Sequence, residues 1–233
     1  LTKQLEDLNK DLGNQVKIRT GELENLNHKL TQKNQELEKL SNKLSKYLSP
    51  QIFNSIFTGK RDVVISAQRK KITVLFCDIV GFTATADTME AEDLSNIINH
   101  YFTEMSKIAL ANGATIDKYM GDAIMLFFGD PETRGYKEDA IACLKTAVEM
   151  QKRLRQLRLE WRDRGFEHPF HMRVGINTGY CAVGNFGSDM RLDYTLIGSQ
   201  VNLAARLQTS AAPGDIIISY ETHSLVKNEV MCE

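Results

Sequence analysis

Two aspartates stand where strand alternation would not place an acid. Asp78 closes the apolar run Ile72 to Cys77 and opens the turn Ile79-Val80-Gly81-Phe82-Thr83, while Asp122 occupies the tight turn Met120-Gly121-Asp122 between two apolar stretches. Taken singly, each is an ordinary turn residue. If the flanking strands are neighbours, both carboxylates lie at one sheet edge and can share hard divalent cations through oxygen. Arg173 lies among apolar residues in a strand, an expensive place for a charge, and so calls for an anionic partner. Asn202 and Arg206 are four apart in a helical stretch and therefore share a face.

Positioning these groups falls to a mixed set of elements. Lys71 to Cys77 reads as a buried strand, Ala91 to Ala111 as an amphipathic helix, and Thr115 to Tyr119 and Ala123 to Phe128 as a hairpin around Gly121-Asp122. Tyr136 to Arg164 reads as a long helix, with Trp161 and the basic run Lys152 to Arg164 on a solvated face. Strands at Phe170 to Asn177 and Cys181 to Asn185, a helix at Gln200 to Gln208 and a strand at Ile216 to Ser219 complete the set. Adjacent hairpin strands mixed with helices indicate an α+β fold, helices packed on one mainly antiparallel sheet, rather than a doubly wound parallel sheet.

Ahead of this region the chain changes character. Residues 1–47 contain no proline and space apolar residues at steps of three and four: Leu5, Leu8, Leu12, Val16, Leu23, Leu26, Leu30, Leu37, Leu40 and Leu44, with Arg19 and Lys33 filling the remaining seam positions. The narrow stripe on an otherwise polar helix suits one partner helix, so a parallel dimeric coiled coil is expected. The consecutive steps of four from Leu8 to Leu12 to Val16 form a stutter. Ser49-Pro50 ends the pattern and starts a short helix to Phe57, which Thr58-Gly59-Lys60 terminates. The expected division is 1–47 coiled coil, 48–66 connector and 67–233 globular domain.

Composition narrows the class. A net charge of −1 with interspersed signs offers no large basic surface, which argues against nucleic acid as a partner. The cysteines Cys77, Cys143, Cys181 and Cys232 form no C-x-x-C pair, and no run approaches the length of a membrane span, so a cytoplasmic setting is expected. His28, His100, His168, His171 and His223 are scattered, and no phosphate-loop glycine pattern or Ser/His/Asp arrangement competes.

Four stretches in order, FCDIVGFT (Phe76 to Thr83), DKYMGD (Asp117 to Asp122), MRVGINTG (Met172 to Gly179) and YTLIGSQVNLAARL (Tyr194 to Leu207), resemble the successive signatures of class III adenylyl and guanylyl cyclases. The resemblance covers roughly Lys71 to Tyr220 and implies a ferredoxin-like catalytic domain. By the same resemblance, Asp78, Asp122 and the Ile79 carbonyl match the ligands of two Mg²⁺ or Mn²⁺ ions, and Phe82 and Thr83 fall among the substrate-binding positions. Lys118 and Thr195 match the pair that reads the purine edge, Arg173 the phosphate-holding arginine, and Asn202 and Arg206 the ribose-orienting and transition-state residues.

A lysine donating to N1 and a threonine accepting from the exocyclic amine complement adenine, so the resemblance implies ATP as substrate and cyclic AMP as product. Thr195 further resembles a bacterial and soluble subgroup linked to bicarbonate stimulation. Because family sites combine residues of two subunits and this chain carries both sets, a homodimer is implied, driven by an upstream sensor domain through the coiled coil. Family members continue past Val226 with a final hairpin carrying a phosphate-contacting lysine; the residues to Glu233 show no such hairpin, so either the sequence continues or another group fills that role. A guanylyl cyclase and a non-catalytic cyclase-like dimerisation module stay open as alternatives.

Overall fold

The run around Ile72 is the middle of a longer strand, β1 (Ser66–Ile79), in a computed structural model that describes residues 2–59, 64–166, 170–188 and 190–231, with backbone alone for Glu6 and Asp7. Lys60, His168 and Cys232 lie outside the described residues. The chain divides into two units, Leu1–Leu48 and Ser49–Glu233.

The first unit is one helix, α1 (Thr2–Leu44), 43 residues and so about 65 Å long. Its seam leucines are exposed, with Leu5, Leu26 and Leu40 at 55, 63 and 55%. In the second unit, α2 (Pro50–Phe57) starts where Ser49 accepts from the Ile52 N–H and Pro50 occupies the first turn, where its missing donor costs nothing. Gln51 ties α2 down by donating to the Ala114 carbonyl.

After β1 come the short α3 (Phe82–Ala86), α4 (Ala91–Ala111), β2 (Thr115–Met120), β3 (Ala123–Phe128), α5 (Tyr136–Arg162), β4 (Met172–Ser188), β5 (Arg191–Ile197), α6 (Ser199–Ser210), β6 (Ile216–Ile218) and α7 (Tyr220–Val226). The sheet runs β2-β3-β1-β4-β5, antiparallel throughout, with β6 alongside β4 as the one parallel pair among the described residues. The β4-β1-β3-β2 order is the ferredoxin-like arrangement, an α+β fold.

Alternation in β1 divides the interior. Leu75, Cys77 and Ile79 join Tyr101, Met105, Met150 and Leu154 under α4 and α5, while Ile72, Val74 and Phe76 join Val183, Leu196, Val201 and Ala204 under α6. By parity Asp78 falls on the Phe76 side, toward α6.

Three expectations are corrected. The two strands at Phe170 to Asn177 and Cys181 to Asn185 are one continuous strand, β4, because β1 pairs with it without interruption from Ile79 opposite Met172 to Ser66 opposite Asn185. Gly175 does not break that strand; it lets a helix approach, since a Cβ there would meet the backbone of Ala204 and Gln208 in α6 at 2.4 and 2.1 Å. The elements expected from sequence include none at β5, although Arg191 to Leu196 alternates polar and apolar residues at the period of a strand. Trp161 is core rather than solvated: it is 2% exposed, lies edge-on to Phe166 and Phe170, and donates to His100 Nδ1 at 3.2 Å.

Candidate active site

The β1–β4 register sets Asp78 opposite Arg173. The guanidinium grips the carboxylate at both oxygens, Nε to Oδ1 at 2.8 Å and Nη2 to Oδ2 at 3.0 Å, and Nη1 donates to the Thr209 carbonyl in α6 at 3.1 Å. The anion that a strand arginine requires is therefore supplied within the chain.

Asp122 reaches the same place from the β2–β3 turn, where Gly121 takes a left-handed φ of +63° that few other residues adopt. Its Oδ2 accepts from the Ile79 N–H at 2.8 Å, which seats the Asp122 carboxylate against the residue next to Asp78. Burial, with a smaller contribution from neighbouring Asp78, pushes the Asp122 carboxyl above its usual range, against the Ile79 hydrogen bond and the Arg173 charge. Two crowded acids, one of them partly desolvated, together with the Ile79 carbonyl form an all-oxygen donor set that fits hard divalent cations. Among the described residues no group of three His, Cys, Asp or Glu side chains converges on a metal position, so the carbonyl is needed to extend the pair.

A second group forms on β2 and β5. Between Ile116 and Lys118 the β2–β3 register shifts, making Asp117 the extra residue of a bulge. Its side chain is 1% exposed, and Thr195 Oγ1 donates to its Oδ2 at 2.6 Å. Lys118 Nζ stands 3.3 Å from the other oxygen and is 41% exposed, open to a ligand. Burial raises the Asp117 carboxyl, opposed first by the Thr195 hydrogen bond and then by the Lys118 charge. On β5 the preceding residue, Tyr194, donates to Asp130, which also pairs with Lys70.

Asn202 and Arg206 both lie on the exposed face of α6, four apart as their spacing requires. Phe82 is half-buried against Phe170 with ring centroids 5.8 Å apart, which commits its side chain to the core, whereas Thr83 is exposed. A cavity of about 660 Å³ lined by Glu90, His100, Trp161 and Arg164, among others, includes none of these candidates. The residue that motif reading passed over is Asp117. An acid in the strand Thr115-Ile116-Asp117 carried the same signal as Arg173, a charge where burial makes it expensive.

Cys77, Cys143 and Cys181 are buried free thiols, and burial pushes Cys77 up to about 12, so none competes as a nucleophile.

Residues 64–233, which carry every one of these groups, match the family described as the adenylate and guanylate cyclase catalytic domain. The chain belongs to that family. The cyclase domain resembles the solved structure of the adenylyl cyclase CyaB from P. aeruginosa, with 53% identity and a TM-score of 0.71 over 72% of this chain and 86% of that one. It also resembles the guanylyl cyclase Cya2, at 37% identity and a TM-score of 0.66 over 69% of this chain and 80% of that one. An adenylate cyclase of Anabaena cylindrica is 32% identical over 193 residues, 80% of this chain and 35% of that protein. The chain thus spans about a third of that relative's length, and 21% of adenylate cyclase 1 of Rhizobium meliloti. Among the described residues no helix is long and apolar enough to cross a membrane.

Proposed function

We propose that this cyclase domain converts ATP to 3',5'-cyclic AMP and pyrophosphate at sites shared by two copies of the chain. The observation that carries the reading is the placement of Lys118 and Thr195 on the two oxygens of one carboxylate, Asp117. An ammonium donor beside a hydroxyl oxygen complements the N1 acceptor and amino donor of adenine, and opposes the N1–H and carbonyl of guanine. The 53% identity to an adenylyl cyclase supports the same substrate.

Asp78, Asp122 and the Ile79 carbonyl would hold two Mg²⁺ or Mn²⁺ ions. When bound, such ions supply Lewis acidity, easing ionisation of the ribose 3'-hydroxyl and neutralising triphosphate charge. Asn202 holds the ribose, and Arg206 stabilises the charge that grows on the α-phosphate as the 3'-oxygen attacks in line and pyrophosphate leaves. Arg173 turns from Asp78 toward the terminal phosphates when nucleotide arrives, while Thr83 and the main chain at Phe82 border the substrate.

Asn202 and Arg206 lie on an exposed helix face and the Lys118 side chain is 41% exposed, which supports completion of each site by a second copy. The exposed leucine seam of α1 supports a parallel coiled coil joining the two copies and passing on the state of an upstream sensor.

The decisive experiment is product analysis with ATP and with GTP in Mg²⁺ and in Mn²⁺, comparing the chain with Asp78→Ala. Cyclic AMP formation that Asp78→Ala abolishes is the expected result; cyclic GMP as the main product, which the likeness to Cya2 makes the second reading, would overturn it.

A further inference from the structure

We propose that Asp117 is a positioning residue that sets base preference by fixing the direction of the Thr195 hydroxyl proton. The inference rests on the reading of Lys118 and Thr195 as the purine-facing pair.

A threonine hydroxyl alone is a poor discriminator. It rotates freely, accepting from the amino group of adenine or donating to the carbonyl of guanine with equal ease. Thr195 lacks that freedom. Its oxygen lies 2.6 Å from Asp117 Oδ2, and an ionised carboxylate can only accept, so the hydroxyl proton is committed inward. Lone pairs are all that Thr195 can present to a base.

The same carboxylate governs the second contact. Lys118 Nζ sits 3.3 Å from Asp117 Oδ1, an ion pair that holds the ammonium on the carboxylate that also binds the threonine. One buried anion thereby orders an acceptor and a donor side by side. Adenine satisfies both; guanine meets an acceptor with its carbonyl and a donor with its ring N–H, failing twice.

Construction of the trio points to more than packing. A bulge in β2 spends one extra residue on turning Asp117 inward, where only 1% of its side chain stays exposed. The Thr195 side of the contact is also buried, at 8% exposure of the residue. A dry, fixed hydrogen-bond pattern discriminates strongly, because a base with the wrong edge leaves buried groups unpaired.

The test is the ratio of kcat/KM for ATP over GTP in the full 233-residue chain, with equilibrium displacement of a fluorescent nucleotide by ATP and by GTP measured alongside. Asp117→Asn can donate from its amide to Thr195, freeing the hydroxyl proton to face the base. The ratio should then fall by about tenfold or more, with a matching change in relative binding and little change in thermal unfolding. Thr195→Val should lower the ratio similarly, and adding Asp117→Asn to it should lower the ratio no further, since Asp117 acts through Thr195. Thr195→Ser, which keeps the hydroxyl, should retain the preference. If Asp117→Asn slows both nucleotides equally, or its effect adds fully to that of Thr195→Val, the proposal fails while the adenylyl reading stands. A wild-type chain that favours GTP in both turnover and binding would overturn the adenylyl reading itself, and this inference with it.

Discussion

Asp78 and Arg173 face each other across the β1–β4 ladder, joined at both carboxylate oxygens at 2.8 and 3.0 Å. The pair places a cation surrogate on the acid proposed as a ligand for divalent metal. Neither partner is deeply buried, at 20 and 26% side-chain exposure, so exchange with an arriving ion is not blocked by desolvation. Arg173→Ala should therefore have two opposite effects. Mn²⁺ binding to the nucleotide-free chain, followed by calorimetry, should tighten by several-fold to about tenfold as a competing charge is removed. Turnover of ATP should fall by about tenfold or more, because the phosphates lose a guanidinium contact. Weaker Mn²⁺ binding would show that Arg173 organises Asp78 rather than competing for it.

Asp122 carries its charge at a cost, since burial raises its carboxyl. A raised folded-state value means the ionised form weakens the fold at neutral pH, and that penalty is relieved as pH falls through the folded value toward the unfolded one. Asp122→Asn should accordingly leave thermal stability at pH 7 unchanged or higher while lowering cyclase turnover by about a hundredfold or more. A large loss of stability at pH 7 would contradict the assigned direction.

Glu104 behaves in the reverse sense. In α4 it accepts from Lys107 and from Arg153 of α5, each at 2.7 Å, and these contacts hold its carboxyl down at about 2 from an ordinary 4.5. Its contribution is present in full above about 4.5 and is lost as pH falls toward about 2. Chemical denaturation of Glu104→Gln should show a deficit at pH 6 that shrinks between about pH 4.5 and about 2, smaller at high salt because Arg153 is a quarter exposed.

Gly175 marks where α6 rests on β4. A Cβ there would enter the backbone of Ala204 and Gln208 rather than a side chain that could swing away. Gly175→Ala should destabilise the domain by about 1–3 kcal/mol and, by lifting α6, displace Asn202 and Arg206 together. Thermal unfolding and turnover measured on the same preparation check both; an unchanged melting temperature would place the contact elsewhere.

The leucine seam of α1 predicts a rotation-sensitive coupling. One residue inserted between Leu30 and Leu37 turns everything beyond it by about 100° about the helix axis. Basal cyclase activity should change sharply while sedimentation still reports a dimer, and activity equal to the parent would argue against transmission through the seam.

Local pattern alone determined much of this protein. The helices Ala91–Ala111 and Pro50–Phe57 and the hairpin strand Ala123–Phe128 were bounded by capping residues, prolines and periodicity, all of which act within a few residues. Asp78 and Asp122 were recognisable because an acid at the end of an apolar run contradicts its neighbours. Other features depended on partners far along the chain. Strand β4 is continuous because β1 supplies a hydrogen-bond partner over its length, including Thr178 to Tyr180, the gap between the two expected strands. Trp161 is buried because α4 brings His100 to its indole nitrogen from 61 positions away. Asp78 meets Arg173 across 95 positions, and Asp117 meets Thr195 across 78, through register and a bulge that no short window encodes. Motif spacing could name the candidate groups; which of them hold one another's charges and protons was decided only when the sheet set distant strands side by side.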